Sequence, residues 1–231
     1  MPKKKAKKAS KAKAKKKTAS RIVKKPSKKI KTAKKAARKP SKARVVSKSV
    51  RMSVSKPITG KANLIVTYDP NHAGLAEQEL KAVFRKIGKD FSLMKSDIEG
   101  LFKLKVSEPK KTVSELAKLC RSEPSFFNVT YHYTPIDYWC KTSISEIQKV
   151  IKECMTPGIK QNESWKMGLN KRHYEEYPST ELVIKLTGVI DRQNVDLSHP
   201  EKVVQVEIIG NETGLALLKP EEMLNVPKLK K

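Results

Sequence analysis

The chain has 231 residues, with 51 Lys and Arg against 23 Asp and Glu, a formal net charge of +28. Residues 1–60 hold 25 of those cations and no acidic or aromatic residue, so residues 61–231 carry a balance of only +3. The first segment cannot bury enough apolar surface to offset the entropy of ordering its backbone, which excludes a folded domain there and predicts a disordered basic tail.

The second segment is long enough for one large or two small cored domains. Cys120, Cys140 and Cys154 offer no C-x-x-C pair and no even set, which points to a reduced, intracellular compartment. No apolar run approaches the ~18 residues of a membrane helix, and the basic start lacks the apolar stretch of a signal peptide. Only 4 of the tail cations are Arg, against a mitochondrial presequence, so a protein with no membrane association is expected.

The tail repeats Lys, Ala, Ser and Pro in loose blocks such as Lys13 to Lys17 and Lys34 to Arg38, with Pro26 and Pro40 interrupting any helix. Two readings stand for it: a polyanion binder with little sequence preference, and a solubilising or nuclear-address segment without a fixed target. Order is expected from Lys61. Asn63 to Tyr68 reads as a strand, and the turn Asp69-Pro70-Asn71 leads into a helix with apolar residues at 75, 76, 80, 83, 84 and 87, ended by Gly88. Phe91 to Lys95 and Leu101 to Val106 read as strands joined through Gly100, with Phe102, Leu104 and Val106 inward and Lys103 and Lys105 outward. Thr112 to Glu115 reads as a capping box opening a helix that Pro124 stops, and Phe127 to Thr134 as a fourth strand. The order β-α-β-β-α-β is that of a ferredoxin-like unit.

A second capping box, Ser143 to Glu146, opens a helix that Pro157-Gly158 breaks. Trp165 to Arg172 alternates Trp165, Met167 and Leu169 with Lys166, Gly168 and Asn170, a strand with one buried face. Pro178 to Glu181 starts a helix reaching Ile190, and Val203 to Ile209 and Gly214 to Leu218 are strands linked by a hairpin-like loop. After Lys219 only 12 residues remain, too few for another domain.

No G-x-G-x-x-G, Walker A, H-E-x-x-H or C-x-x-C pattern occurs, so no cofactor and no metal is expected. His72, His132, His173 and His199 fall in separate elements, as surface or turn residues usually do, while Cys120 and Cys154 occupy apolar helix positions as small hydrophobes. Of 13 aromatics, six lie between Phe126 and Trp139. Rings on an open sheet can stack bases. Here, however, the alternation places Phe127, Val129, Tyr131 and Tyr133 on one face, and the Val favours a face turned to the helices. On the Trp165 strand, Lys166 and Asn170 with Lys171 and Arg172 at its end present cations beside a neutral donor, a set suited to phosphates. A solvated edge guarded by charge is the competing reading.

Residues 143–219 resemble a THUMP domain. The resemblance is carried by Val195-Asp-Leu-Ser-His-Pro-Glu201 followed by the Val-rich strand 203–209, with a basic strand and a helix before them. Ser198-His199 and Glu201 replace the family's usual Asn and Asp. Asp196 and Pro200 can still shape the turn, so they are expected to be structural. The resemblance implies a mixed α/β (α+β) chain: a disordered tail over 1–60, a ferredoxin-like domain over 61–138, a THUMP domain over 139–222 packed with it, and a short basic C-terminal tail over 223–231. It also implies tRNA binding at the acceptor end, with its 3′ single strand, and a likeness to the stand-alone THUMP proteins that assist a separate cytidine acetyltransferase in making acetylcytidine.

On that basis the expected function is a non-catalytic tRNA-binding adaptor. Lys166, Asn170, Lys171 and Arg172 are its leading contacts, and Lys103, Lys105 and Arg192 weaker ones. Other readings are a protein that coats DNA or RNA through its tail, a tRNA-binding subunit for thiolation or methylation, and an enzyme with an unrecognised site. The expected location is cytoplasmic, or nuclear or nucleolar in a eukaryote.

Overall fold

Residues 61–230 are described by a computed structural model of the chain; the tail expected over 1–60 lies outside the described residues. The β-branched run Leu64–Tyr68 is strand β1. Asp69 accepts a hydrogen bond from the Asn71 amide (3.0 Å) and caps a single 3-10 turn, after which α1 (Ala73–Lys86) begins. Ala76, Leu80, Val83 and Phe84 line its buried face. Each large one contributes about 1.5–3 kcal/mol of burial energy. Gly88, at φ 63°, turns the chain out of the helix as expected, with its N–H on the Arg85 carbonyl.

Strands β2 (Ser92–Met94), β3 (Leu101–Lys105) and β4 (Thr130–Pro135) complete the first sheet with α2 (Pro109–Ser122). The strand order is β2-β3-β1-β4, every neighbour antiparallel, as the β-α-β-β-α-β order requires. Leu64, Val66, Phe102, Leu104, Phe127 and Tyr133 meet the buried faces of α1 and α2 in one core. The aromatics Phe127 and Tyr133 are therefore packing residues, with no ring face open to a base.

Two local readings are corrected. Thr112 is not a cap: α2 begins at Pro109, whose fixed φ suits a first helical position, so Thr112 lies inside the helix with its amide on the Glu108 carbonyl. The segment 223–231, expected as a short tail, is folded over its described part. Leu224–Asn225 forms β9, which pairs with β4 (His132 opposite Asn225), and Val226–Leu229 forms the single-turn helix α5, with Leu224 and Val226 buried.

The second sheet has the order β5-β8-β7-β6, from β5 (Tyr138–Lys141), β6 (Trp165–Arg172), β7 (Lys202–Ile209) and β8 (Glu212–Leu218). β6 runs parallel to β7, and the other pairs are antiparallel. Sequence patterning overlooked β5, because four residues after a proline show too little alternation to mark a strand. Helix α3 (Ile144–Val150) is capped by Ser143, which accepts from the Glu146 amide, and runs on into a π-helical turn, Ile151–Met155. With α4 (Ser179–Thr187), which ends at Gly188 and not at Ile190, it covers one face of the sheet.

A third apolar cluster, Ala62, Ile65, Leu101, Ile136, Trp139 and Ile209, joins the two sheets. The Trp139 indole N–H donates to the Ala62 carbonyl (2.6 Å), and the Lys61 and Lys103 ammoniums lie 5.9 and 5.3 Å from its ring centre. Both lysines bind Glu212, at 2.6 and 3.2 Å, and the Lys61 bond is the first cause of a Glu212 carboxyl held below its usual range. Elsewhere between the two units Lys110 bridges Asp137 (2.8 Å) and the Leu217 carbonyl (2.9 Å).

Candidate nucleic-acid interface

The alternation of β6 decides what reaches the interface. Trp165, Met167 and Leu169 turn to the helices and enter the second core, so Lys166, Gly168, Asn170 and Arg172 turn to the opposite face. That face looks across a groove to β4 and β9. One half of the groove, about 560 Å³, lies among Lys166, Asn170, Arg172, Gln205 and Glu207 with His132 and Thr134 of β4. The adjoining half, about 660 Å³, shares Lys166, Asn170 and His132 and adds Arg121 of α2, His199 and Lys228 of α5. Cations thus stand on both walls. Arg121 and Lys228 escaped the sequence reading because they lie in the helix of one unit and in a segment read as a tail.

Buried Glu207 lies under the groove. One carboxylate oxygen accepts from the Asn170 amide nitrogen (2.8 Å) and from the Gln205 amide nitrogen (2.8 Å). Burial pushes its carboxyl up, while these two amides and the Arg172 charge pull the other way. A Cβ at Gly168 would overlap the Gln205 amide oxygen, so glycine is what lets that side chain lie flat on β6. His132 is held below the ordinary histidine range by desolvation and then by the Arg172 charge, and is therefore neutral at pH 7, with Nδ1 3.1 Å from the Thr67 hydroxyl.

A carboxyl raised in the folded state stabilises least when ionised. The unfolded chain ionises first, near pH 4.3, so the Glu207 contribution falls as pH rises from there through the folded value. Glu207→Gln is expected to be more stable than the parent at pH 8, with the gap closing toward pH 4. Thermal unfolding across that range checks this, and parallel curves for the two proteins would contradict it.

Of the residues singled out from sequence, the structure brings Lys166, Asn170 and Arg172 to the groove, and Lys171 also borders it. Lys166 also donates to the Leu197 carbonyl (3.3 Å). The Asn170 donor faces Glu207 instead of a phosphate. Lys171 points to the helix side, where its ammonium donates to the Tyr177 carbonyl (2.9 Å). Lys103 belongs to the joint between sheets, and Lys105 is exposed on the first sheet, outside the groove lining. Arg192 is largely buried and binds the Ile159 (2.7 Å) and Thr156 (3.3 Å) carbonyls, holding the end of the π-helical turn. Asp196 accepts from the Ser198 (2.8 Å) and His199 (2.9 Å) amides, which lower its carboxyl, and Pro200 is buried beside the groove.

Among the described residues no three His, Cys, Asp or Glu side chains gather as metal ligands, and no helix is long and apolar enough to cross a membrane. Burial pushes the Cys140 thiol up to about 12 and raises Cys120 and Cys154 as well, which makes all three poor nucleophiles.

Comparison with known families gives one match, over residues 141–218. This part of the chain is a THUMP domain. Such domains are RNA-binding modules, and the match covers β6, β7 and the turn before β7, which together build one wall of the groove. No curated protein matches the chain. Among solved structures it is similar to PH1313 from Pyrococcus horikoshii Ot3 (13% identity, TM-score 0.46, 68% of this chain and 55% of that one). It is also similar to TrmN from Thermus thermophilus (15%, 0.47, 67% and 44%) and to a 4-thiouridine synthetase in complex with RNA and ATP (16%, 0.40, 71% and 42%). The chain spans about half the length of these proteins.

Proposed function

We propose that this protein binds tRNA in the groove between its two sheets and presents it to a separate modifying enzyme, a cytidine acetyltransferase that forms acetylcytidine. The observation that supports the reading most is the placement of Lys166 and Arg172 on the wall built by the THUMP domain, opposite Arg121 and Lys228. Cations on two walls of a groove suit a strand of nucleic acid, such as the 3′ end of the acceptor stem, whose phosphates they can meet from both sides. Holding that end at a fixed distance from a cytidine elsewhere in the tRNA raises the local concentration of the base at the enzyme. The 25 cations of residues 1–60 add attraction and faster encounter without choosing the site.

Lys166→Ala/Arg172→Ala is expected to weaken tRNA binding at least about tenfold near 0.1 M salt. It should also flatten the dependence of log affinity on log salt by about 1.5 to 2, as two lost phosphate contacts require. Lys105→Ala, at an exposed residue of the first sheet outside the groove lining, serves as the control that leaves both nearly unchanged.

The cellular test is an inventory of tRNA nucleosides by mass spectrometry in cells lacking the gene, rescued by the parent or by the double variant. Acetylcytidine lost in the knockout and restored only by the parent is the expected result. A different missing nucleoside would keep the tRNA reading but assign another enzyme, and an unchanged inventory would move the function to the basic tail.

A further inference from the structure

The amide of Asn170 lies at the centre of the groove lining, and its orientation is set from beneath. Glu207 Oε1 receives both the Asn170 Nδ2 bond and the Gln205 Nε2 bond, each 2.8 Å. Both nitrogens lie at hydrogen-bond distance from that one oxygen, so both amides donate to it. A planar amide that turns its nitrogen inward turns its oxygen away. Gln205 shows this directly, since its oxygen lies over Gly168 on the β6 surface. Asn170, which is exposed, is left with Oδ1 toward the groove. The groove therefore offers hydrogen-bond acceptors in the middle, with the charges of Lys166 and Arg172 on either side along the strand. A phosphate oxygen has nothing to donate to an acceptor. A ribose 2′-hydroxyl or an exocyclic base amine does.

We propose that Asn170 is a specificity residue of the groove, recognising through its amide oxygen a hydrogen-bond donor of the bound strand, while Lys166 and Arg172 hold the phosphates. Glu207 is the positioning residue that keeps the oxygen outward. The inference rests on the groove being the RNA site.

The test measures the affinity of the full chain for oligo(rU), oligo(dU) and oligo(rC) at about 0.3 M salt, where phosphate attraction through the tail is weakened. The parent, Asn170→Ala and Lys166→Ala/Arg172→Ala are compared. The rU and dU strands differ only at the 2′-hydroxyl, so a parent preference for rU of about threefold to tenfold that falls to about one in Asn170→Ala, with dU binding unchanged, identifies the hydroxyl as the donor. A preference for rC over rU that disappears in the same variant identifies the base amine and supports the proposal equally. Loss of affinity for all three strands alike in Asn170→Ala would show a phosphate contact, and no change in any ratio would show no contact; either result overturns the proposal. If Lys166→Ala/Arg172→Ala weakens none of the strands, the groove is not the RNA site and the functional reading itself fails.

Discussion

Trp139→Ala is expected to lower the unfolding free energy by about 3–5 kcal/mol, the range for emptying a buried indole site. Trp139 is buried between the sheets, its N–H is committed to the Ala62 carbonyl, and two lysines lie against its ring. Removing it leaves a cavity, an unpaired carbonyl and a Lys61–Glu212–Lys103 cluster without the surface that orders it. For a unit of this size each kcal/mol moves the midpoint by about 2–4 °C, so a drop of about 10 °C is expected. Calorimetry provides the check. One transition in the parent and a broadened or double one in the variant would show that this joint makes the sheets unfold together. A shift below about 3 °C would mean that the joint contributes little. Since the groove walls belong to different sheets, the same variant should also bind tRNA more weakly.

Glu79→Ala carries the second large effect. The Glu79 carboxylate, on α1, accepts from the backbone amides of Asn128 (2.7 Å), Val129 (3.0 Å) and Thr130 (3.0 Å) and from the Thr130 hydroxyl. That hydroxyl is in turn 2.9 Å from the buried Tyr133 hydroxyl, so one side chain ties α1 to the start of β4. Alanine would leave the buried Thr130 amide without a partner and expose the others to water. A loss of about 3 kcal/mol is expected, since each unsatisfied buried group costs about 1–3 kcal/mol. Glu79→Gln retains one acceptor oxygen and should lose less. Denaturant unfolding should show a lower midpoint at an unchanged slope. Equal stability of Glu79→Ala and the parent would contradict the network. β4 carries His132 and Thr134 into the groove, so this bond set also holds one wall of the site.

Three features explain how far the groove could be read before the fold was known. The alternation of Trp165 to Arg172 is local, and it placed Lys166 and Asn170 on the polar face correctly. The same alternation predicts that Lys171 points the other way, but its position at the strand end concealed where its ammonium would go. Arg192 and Lys103 read as surface cations, and each is committed to partners distant in sequence, Ile159 and Thr156 for one and Glu212 for the other.

What the sequence determined by itself is what depends on near neighbours. This includes the period of each long strand and helix, the Ser143 cap, the Gly88 stop and the Asp196 turn. The tertiary structure alone decided β5 and β9, short strands that exist because an edge of β8 or β4 is there to pair with them. It also decided the joint at Trp139, the second wall with Arg121 and Lys228, and the direction of the Asn170 amide. The physical reason is the same in each case: backbone propensity and hydrophobic period act over a few residues, whereas pairing an edge, burying a carboxylate or closing a groove needs groups that only the folded chain brings together.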